Sequence, residues 1–441
     1  MSDHKTPEAE YGDLETLLSS KEILRHLLRG CDACLAAAHH GFISLTNASQ
    51  GKAEALDLST AYDDALDRAL EQVRRADSLP PDERQRFHKA SALLRSGGGV
   101  LAITETGKMA VEGLGVYESF LARSWDIRYD NPREMCHLAR VAAEMSESFE
   151  PEVYGAKQVA DLRARAWGEL ANAYRVANRF REAQEAFGKA FSFLLQGSGD
   201  RSLKLRLLDL EASFLGSSRE FALALERLAT LAEMYYDDGE THLSGRALIT
   251  KALYTFYRGD TEQACRTIEA GLDLIDRERD PSLALVATFD YILFLVDSNR
   301  FREAKRALFE NRARFVMQGN VASLKMRWVE GRISYGLREL ESAEIAFREA
   351  KQGLAGAEMW FACGITGLDL TMTLLRQERR EEAIKEGLES AARFRSAGVY
   401  REILGTALLL EEAFRAQRAD LVLLETSAQY LRKMMMELGK G

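Results

Sequence analysis

Residues 167–190 read WGELANAYRVANRFREAQEAFGKA. Trp167, Leu170, Ala171 and Tyr174 fall at i, i+3, i+4 and i+7, the spacing of one helix face. Ala183, Phe187 and Ala190 form a second stripe at helical spacing, and the polar break ANR at 177–179 separates the two. Two amphipathic helices joined by a tight turn make a helical hairpin.

The small residue that opens the second stripe recurs along the chain. FREA ends at Ala183, FALA at Ala224, TEQA at Ala264, FREA at Ala304, LESA at Ala343 and REEA at Ala383, in steps of 41, 40, 40, 39 and 40 residues. Turn signals keep the same beat: GSGD at 197–200, DDG at 237–239, DP at 280–281, GN at 319–320 and Gly398. Two independent signals with one period define a repeat array. NPREMCHLARVAAEM, starting at residue 131, reads as the second helix of an earlier unit, and a helical stretch over roughly 400–437 caps the array.

Trp167, Leu170, Ala171, Tyr174, Ala183, Phe187 and Ala190 resemble the tetratricopeptide repeat, and the fifth unit keeps Gly331, Ala343, Phe347 and Ala350. Other units are looser; the second puts Glu211 at a normally apolar position. The resemblance covers roughly residues 110–400. The standard unit has about 34 residues, so the extra length here must lie in helices or connectors. Long repeats of this kind are similar to those of bacterial regulatory proteins that sense peptides or other small ligands. The resemblance implies an all-α, right-handed superhelical solenoid of about seven hairpins over residues 101–441, closed by capping helices.

Composition agrees with helices. The chain has 441 residues, 46% of them hydrophobic, only 6 prolines and a net charge of −9. An acidic chain with no basic tract argues against nonspecific nucleic-acid binding. No apolar run reaches the roughly 18 residues of a membrane span, and the polar N-terminus carries no secretory signal; these features predict a cytoplasmic protein. P-loop, GxGxxG, HExxH and GxSxG patterns are all missing, and the carboxylates are spread along helix faces, so the sequence predicts no enzyme.

In such an array the first helix of each hairpin lines a concave groove. Phased on Trp167, the groove positions are Arg165, Asn172 and Arg175 in the first unit and Arg206, Asp209 and Ser213 in the second. Arg246, Ile249, Leu253 and Phe256 follow, then Phe289, Leu293 and Val296, then Lys325, Trp328, Arg332 and Tyr335. The expectation is a groove with basic ends and an apolar, aromatic middle that takes an acidic peptide or protein segment, with Asn172 reading its backbone. The alternative is a set of solvated helix faces whose arginines pair with nearby glutamates.

The front of the chain does not keep the beat. Residues 1–45 contain RHLLRGCDAC at 25–34, where His26, Cys31 and Cys34 crowd together. Residues 46–100 read as a helical connector ending in SGGG at 96–99. A C-x2-C beside a helix-end histidine is a candidate zinc site if one more ligand closes the tetrahedron, His4 first and His39 or His40 behind it. The arrangement resembles the zinc-binding module of bacterial anti-sigma factors, with one extra residue between His26 and Cys31. That resemblance implies one zinc per chain and a sigma factor or other transcription regulator as partner. A Cys31–Cys34 redox pair and two simply packed cysteines remain as the other readings.

Overall fold

The computed structural model describes residues 75–95, 112–128, 130–317, 319–396, 401–415 and 419–438. Among them are eighteen complete helices, a further helical turn at 75–78 and no strand. Helix α1 spans Pro81–Leu93 and packs on α2, Leu114–Asp126. Helix α3 is Pro132–Glu147 and α4 a single turn, Pro151–Tyr154. The repeat proper continues with α5 (Ala156–Val176), α6 (Phe180–Leu194), α7 (Arg201–Ser217), α8 (Phe221–Asp237), α9 (Thr241–Tyr257) and α10 (Thr261–Leu274). Then come α11 (Pro281–Asp297), α12 (Phe301–Met317), α13 (Asn320–Gly336), α14 (Leu340–Gly356), α15 (Trp360–Arg376) and α16 (Arg380–Ser396). Two last helices are α17 (Arg401–Arg415) and α18 (Leu421–Leu438). In chain order α2/α3 and α5/α6 through α15/α16 make seven helix pairs, as the period predicts. The first helix of each pair is called A here, the second B.

The extra residues of the repeat lie in the helices. Helices α7, α8 and α9 are each 17 residues long, and so are α13, α14 and α15. Their connectors, such as 218–220 and 238–240, are close to the shortest that join antiparallel helices.

The A-to-B turn is the same device each time. Asn178, Arg219, Gly259, Asn299, Arg338 and Glu378 take positive φ, from 57° to 95°. Each sits where a left-handed residue ends a helix. The next amide reaches back to the carbonyl five residues earlier: Arg179 to Tyr174 at 2.8 Å, Glu220 to Leu215 at 2.8 Å, Glu339 to Ser334 at 2.9 Å and Arg379 to Leu374 at 3.0 Å. These bonds satisfy carbonyls that a helix end leaves open. At the other ends Asp200 caps α7 by accepting from the Ser202 and Leu203 amides, and Asp260 caps α10 by accepting from Gln263.

The recurring alanines are the hairpin contacts. Ala183, Ala224, Ala264, Ala304, Ala343 and Ala383 are all completely buried. A larger side chain there would hold the two helices apart. Leu170, Ala171, Phe187 and Ala190 are buried, while Trp167 is half-buried and donates from Nε1 to Glu147 Oε1 at 2.9 Å. Gly331 shows the same economy: a Cβ placed there would lie 2.6 Å from the Phe347 ring. Glu211, the exception at an apolar position, is half-buried and accepts from Arg227 Nε at 2.7 Å.

The chain divides into two compact units, Ser59–Phe294 and Leu295–Lys440, with the cut inside α11. No helix among the described residues is long and apolar enough to cross a membrane.

Candidate functional site

The A helices of the first unit carry a ladder of buried ion pairs. Arg165 on α5 pairs with Glu118 on α2. Arg206 on α7 grips Glu169 on α5 with two hydrogen bonds, Nε to Oε1 at 3.1 Å and Nη2 to Oε2 at 3.3 Å. Its Nη1 also lies 3.7 Å from Asp209. Arg246 on α9 donates to the same Asp209 at 3.1 Å. The result is a zigzag, Glu169–Arg206–Asp209–Arg246, in which no side chain is more than 15% exposed. The Arg206 guanidinium also lies 4.8 Å from the Trp125 ring centre.

The spacing explains the ladder. Glu169 and Asp209 occupy equivalent places one repeat apart, as do Arg206 and Arg246. Each arginine reaches a carboxylate 37 residues earlier, one repeat less one helical turn. The pattern stops at α11, where the equivalent places hold Val286 and Ile249 replaces the acid on α9.

Asn172 lies on the same helix as Arg165, almost fully buried at 1% exposure. Its Oδ1 accepts from Arg175 Nε at 3.0 Å. Its Nδ2 is shielded from solvent and has no hydrogen-bond partner. Arg175 itself reaches Ser217 Oγ at 3.4 Å.

The second unit carries its own polar cluster. Trp328 on α13 donates from Nε1 to Asp369 Oδ2 on α15 at 2.7 Å. Arg432 on α18 donates to the other oxygen of Asp369 at 2.6 Å. Arg332 pairs with Asp297 at 2.6 Å, and its guanidinium lies 5.4 Å from the Trp328 ring centre. Tyr335 Oη donates to Glu425 on α18 at 3.4 Å, and Arg376 donates to the same carboxylate at 2.9 Å. Burial drives the Tyr335 phenol well above its ordinary value, with Arg376 opposing, so it stays a donor at neutral pH.

These placements change the groove that the sequence predicts. Arg165, Asn172 and Arg175 lie on α5, Arg206 on α7 and Arg246 on α9, all A helices of the first unit. Lys325, Trp328, Arg332 and Tyr335 do share α13. They do not stand free, however. Arg246 is 6% exposed and Trp328 5%. Arg165, Arg206, Arg246 and Arg332 pair with carboxylates on neighbouring A helices. Arg206 also faces Asp209 on its own helix, and Arg175 is hydrogen-bonded to Asn172 and Ser217. Lys325 is half-buried and has a partner of its own. Of the expected apolar middle, Ile249, Leu253, Phe289, Leu293 and Val296 are buried, and Phe256 is half-buried and stacked on Phe294. A helix as apolar as α11 has no solvated face to offer. Of the acidic members, Asp209 stands among the groove positions that the repeat phase assigns, whereas Glu118, Glu169, Asp297 and Asp369 do not. A lone Asp369 in the apolar run WFACGITGLDLTMTLLR was the signal available.

His4, His26, Cys31 and Cys34 lie outside the described residues, as do His39, His40 and the SGGG stretch. Among the described residues no group of three or more His, Cys, Asp or Glu side chains is placed to hold a metal ion. Cys136, Cys265 and Cys363 are buried, and burial pushes the Cys136 and Cys363 thiols up.

No protein-family model matches the sequence, and no curated protein matches it. Among solved structures the chain is similar to the apo form of RapI, at 14% identity and a TM-score of 0.47, over 64% of this chain and 99% of that one. It is similar to aspartyl phosphate phosphatase F from Bacillus subtilis, at 12% identity and a TM-score of 0.47, over 84% of this chain and 90% of that one. A circular tandem repeat protein with novel repeat topology aligns at 13% identity and a TM-score of 0.18, over 87% of this chain and 94% of that one. The fold described above rests on this chain's own helices and their contacts, not on these partial likenesses.

Proposed function

We propose that this chain is a regulatory protein-interaction scaffold of the tetratricopeptide kind, without catalytic activity of its own, that takes a peptide or protein segment on its A-helix face. The observation that carries the reading is the Asn172 amide. An unpaired buried Nδ2 is a standing cost of about 1–3 kcal/mol, and such groups mark places where a water or a ligand completes the hydrogen bonding. A backbone carbonyl of a bound segment is an acceptor for it once the side chains that cover Asn172 move aside, so binding here is coupled to opening of the face. Arg175 already holds Oδ1, so the amide is oriented with its donor outstanding. The ion pairs around it fix the surrounding side chains, which reduces what a ligand must order on binding.

Screening a peptide library against the full chain, then repeating it with Asn172→Ala, tests this. A bound segment that loses at least about tenfold in affinity on Asn172→Ala supports the site, since a hydrogen bond to a buried group is worth roughly that much. Equal affinity for both chains would remove the first-unit face from the function.

The finer reading adds a zinc site at His26, Cys31, Cys34 and His4 and a sigma factor or another transcription regulator as partner. Its support is the residue pattern alone. Metal analysis of protein purified without added zinc decides it: about one zinc per chain, lost on Cys31→Ser or His26→Ala, is the expected result. A metal-free chain with a reversible Cys31–Cys34 disulfide would replace it with the redox reading.

A further inference from the structure

Helix α18 follows α17, but it does not lie against α17 as α14 lies against α13 or α16 against α15. Its main packing is on α15, and it touches α17 only at the margin. Leu424, Ser427, Ala428 and Leu431, at i, i+3, i+4 and i+7, form its buried face. Two charges sit along that face, seven residues or two turns apart. Glu425 accepts from Tyr335 on α13 and Arg376 on α15. Arg432 donates to Asp369 on α15, whose other oxygen holds Trp328 of α13. Tyr335, Arg376 and Asp369, which hold these two charges, all stand on A helices. Trp328 and Tyr335 are two of the positions that the repeat phase assigns to the groove.

We propose that the A-helix face of α13 and α15 is a helix-binding seat, and that α18 is its resident ligand. The seat recognises a helix with a carboxylate and a guanidinium two turns apart, flanking small and leucine side chains, as in ETSAQYLR at 425–432. Tyr335 and Arg376 read the carboxylate; Asp369 reads the guanidinium. An external segment for this face is then a helix of the same pattern, and it competes with α18. The latch is built to open at one end. The Glu425 side chain is 47% exposed, whereas Asp369 and Arg432 are 4% and 14% exposed. Release starts at the solvent-screened carboxylate and ends at the buried pair.

This inference rests on the scaffold reading and specifies its regulation: the second unit is self-occupied until a stronger helix arrives. The test uses the full chain, wild type and Glu425→Lys/Arg432→Glu, which sets like charges against Arg376 and Asp369. Hydrogen exchange of the α18 amides should speed up at least about tenfold in the variant, while α13 and α15 change by less than about twofold. A fluorescein-labelled synthetic peptide of residues 419–438 should bind the variant saturably at one per chain and wild type at least about tenfold more weakly. The same peptide carrying Glu425→Lys should bind neither. Exchange of α18 in step with α15 in both chains would show a structural cap and overturn the proposal, as would a peptide that binds neither chain. Should the variant fail to fold, Tyr335→Phe with Arg376→Gln in the full chain gives the same exchange readout. Opening of α18 with recapture of its own peptide, but no foreign segment bound by either chain, would keep this inference and sink the scaffold function.

Discussion

Arg206→Ala separates a buried ladder from an ordinary surface ion pair. The Arg206 and Glu169 side chains are each 10% exposed. Removing the guanidinium leaves the Glu169 carboxylate in a site built for a counter-charge, and a broken buried pair costs about 3–5 kcal/mol. Loss of the arginine stem and charge from the Trp125 ring adds about 0.5–2 kcal/mol. Asp209 keeps Arg246, so it adds little. Replacing both partners by residues of similar shape is a different perturbation, because no charge is stranded: Glu169→Met/Arg206→Met should fall within about 1 kcal/mol of wild type. Urea unfolding followed by far-ultraviolet circular dichroism, with the double-mutant cycle completed by the single variants Glu169→Met and Arg206→Met, reads these terms directly. A cost below about 1 kcal/mol for Arg206→Ala would mean that the pair is solvent-screened like a surface bridge. A double variant as unstable as the single one would mean that the ladder contributes net stability rather than geometry.

Acid should weaken the second unit through Glu344. Burial alone pushes its carboxyl up, but hydrogen bonds from Arg348, Arg379 and Gln377 outweigh that and hold it below its ordinary 4.5. A depressed folded value gives stability that is present above the unfolded value and lost as pH falls through the folded one, so Glu344→Gln should flatten the loss seen below about pH 4.5 in thermal melts. Gly331→Ala should cost about 1–3 kcal/mol, because its Cβ meets the Phe347 ring at 2.6 Å; an unchanged urea midpoint would show that the ring moves aside. Glu378 holds φ at 63°, a conformation that costs a side chain about 1–2 kcal/mol. Glu378→Gly should therefore raise the unfolding free energy by about 0.5–1 kcal/mol after the unfolded-state entropy of glycine is subtracted, and a fall in the urea midpoint would refute the strain.

The repeat was legible because its defining contact is local. Ala183 and its counterparts meet the preceding A helix inside one hairpin, so each unit must carry its own small residue at the same place. The turn beat is legible for the same reason. Asn178, with a side chain that tolerates the left-handed region, fits its turn. Arg219, Arg338 and Glu378 do the same work without any such propensity, because the bond back across the helix end holds them there. Residue type does not mark those turns; their places follow only from the recurring motif that opens each B helix.

The binding face was harder to read, since its contacts join different repeats. Phase places Arg206 and Arg246 on the inward face, but whether they are free depends on what stands one repeat earlier and one turn along. That needs a second spacing of 37 residues overlaid on the 40-residue beat, visible only where acid and base recur together, as in Glu169–Arg206 and Asp209–Arg246. A charged helix face in the sequence therefore fits an open cationic groove and a closed ladder equally well. What separates the two is the burial of the carboxylates, and sequence reports that only when an acid stands in an apolar run, as Asp369 does. Helix α18 lies beyond even that signal. By pattern it is one more amphipathic helix at the end of an array, where a generic cap belongs. Its Glu425 and Arg432 gain meaning only from Tyr335, Arg376 and Asp369, which lie 49 to 90 residues away in the chain. A cap needs an apolar face alone, whereas a ligand also needs charges matched to its seat, and α18 has both.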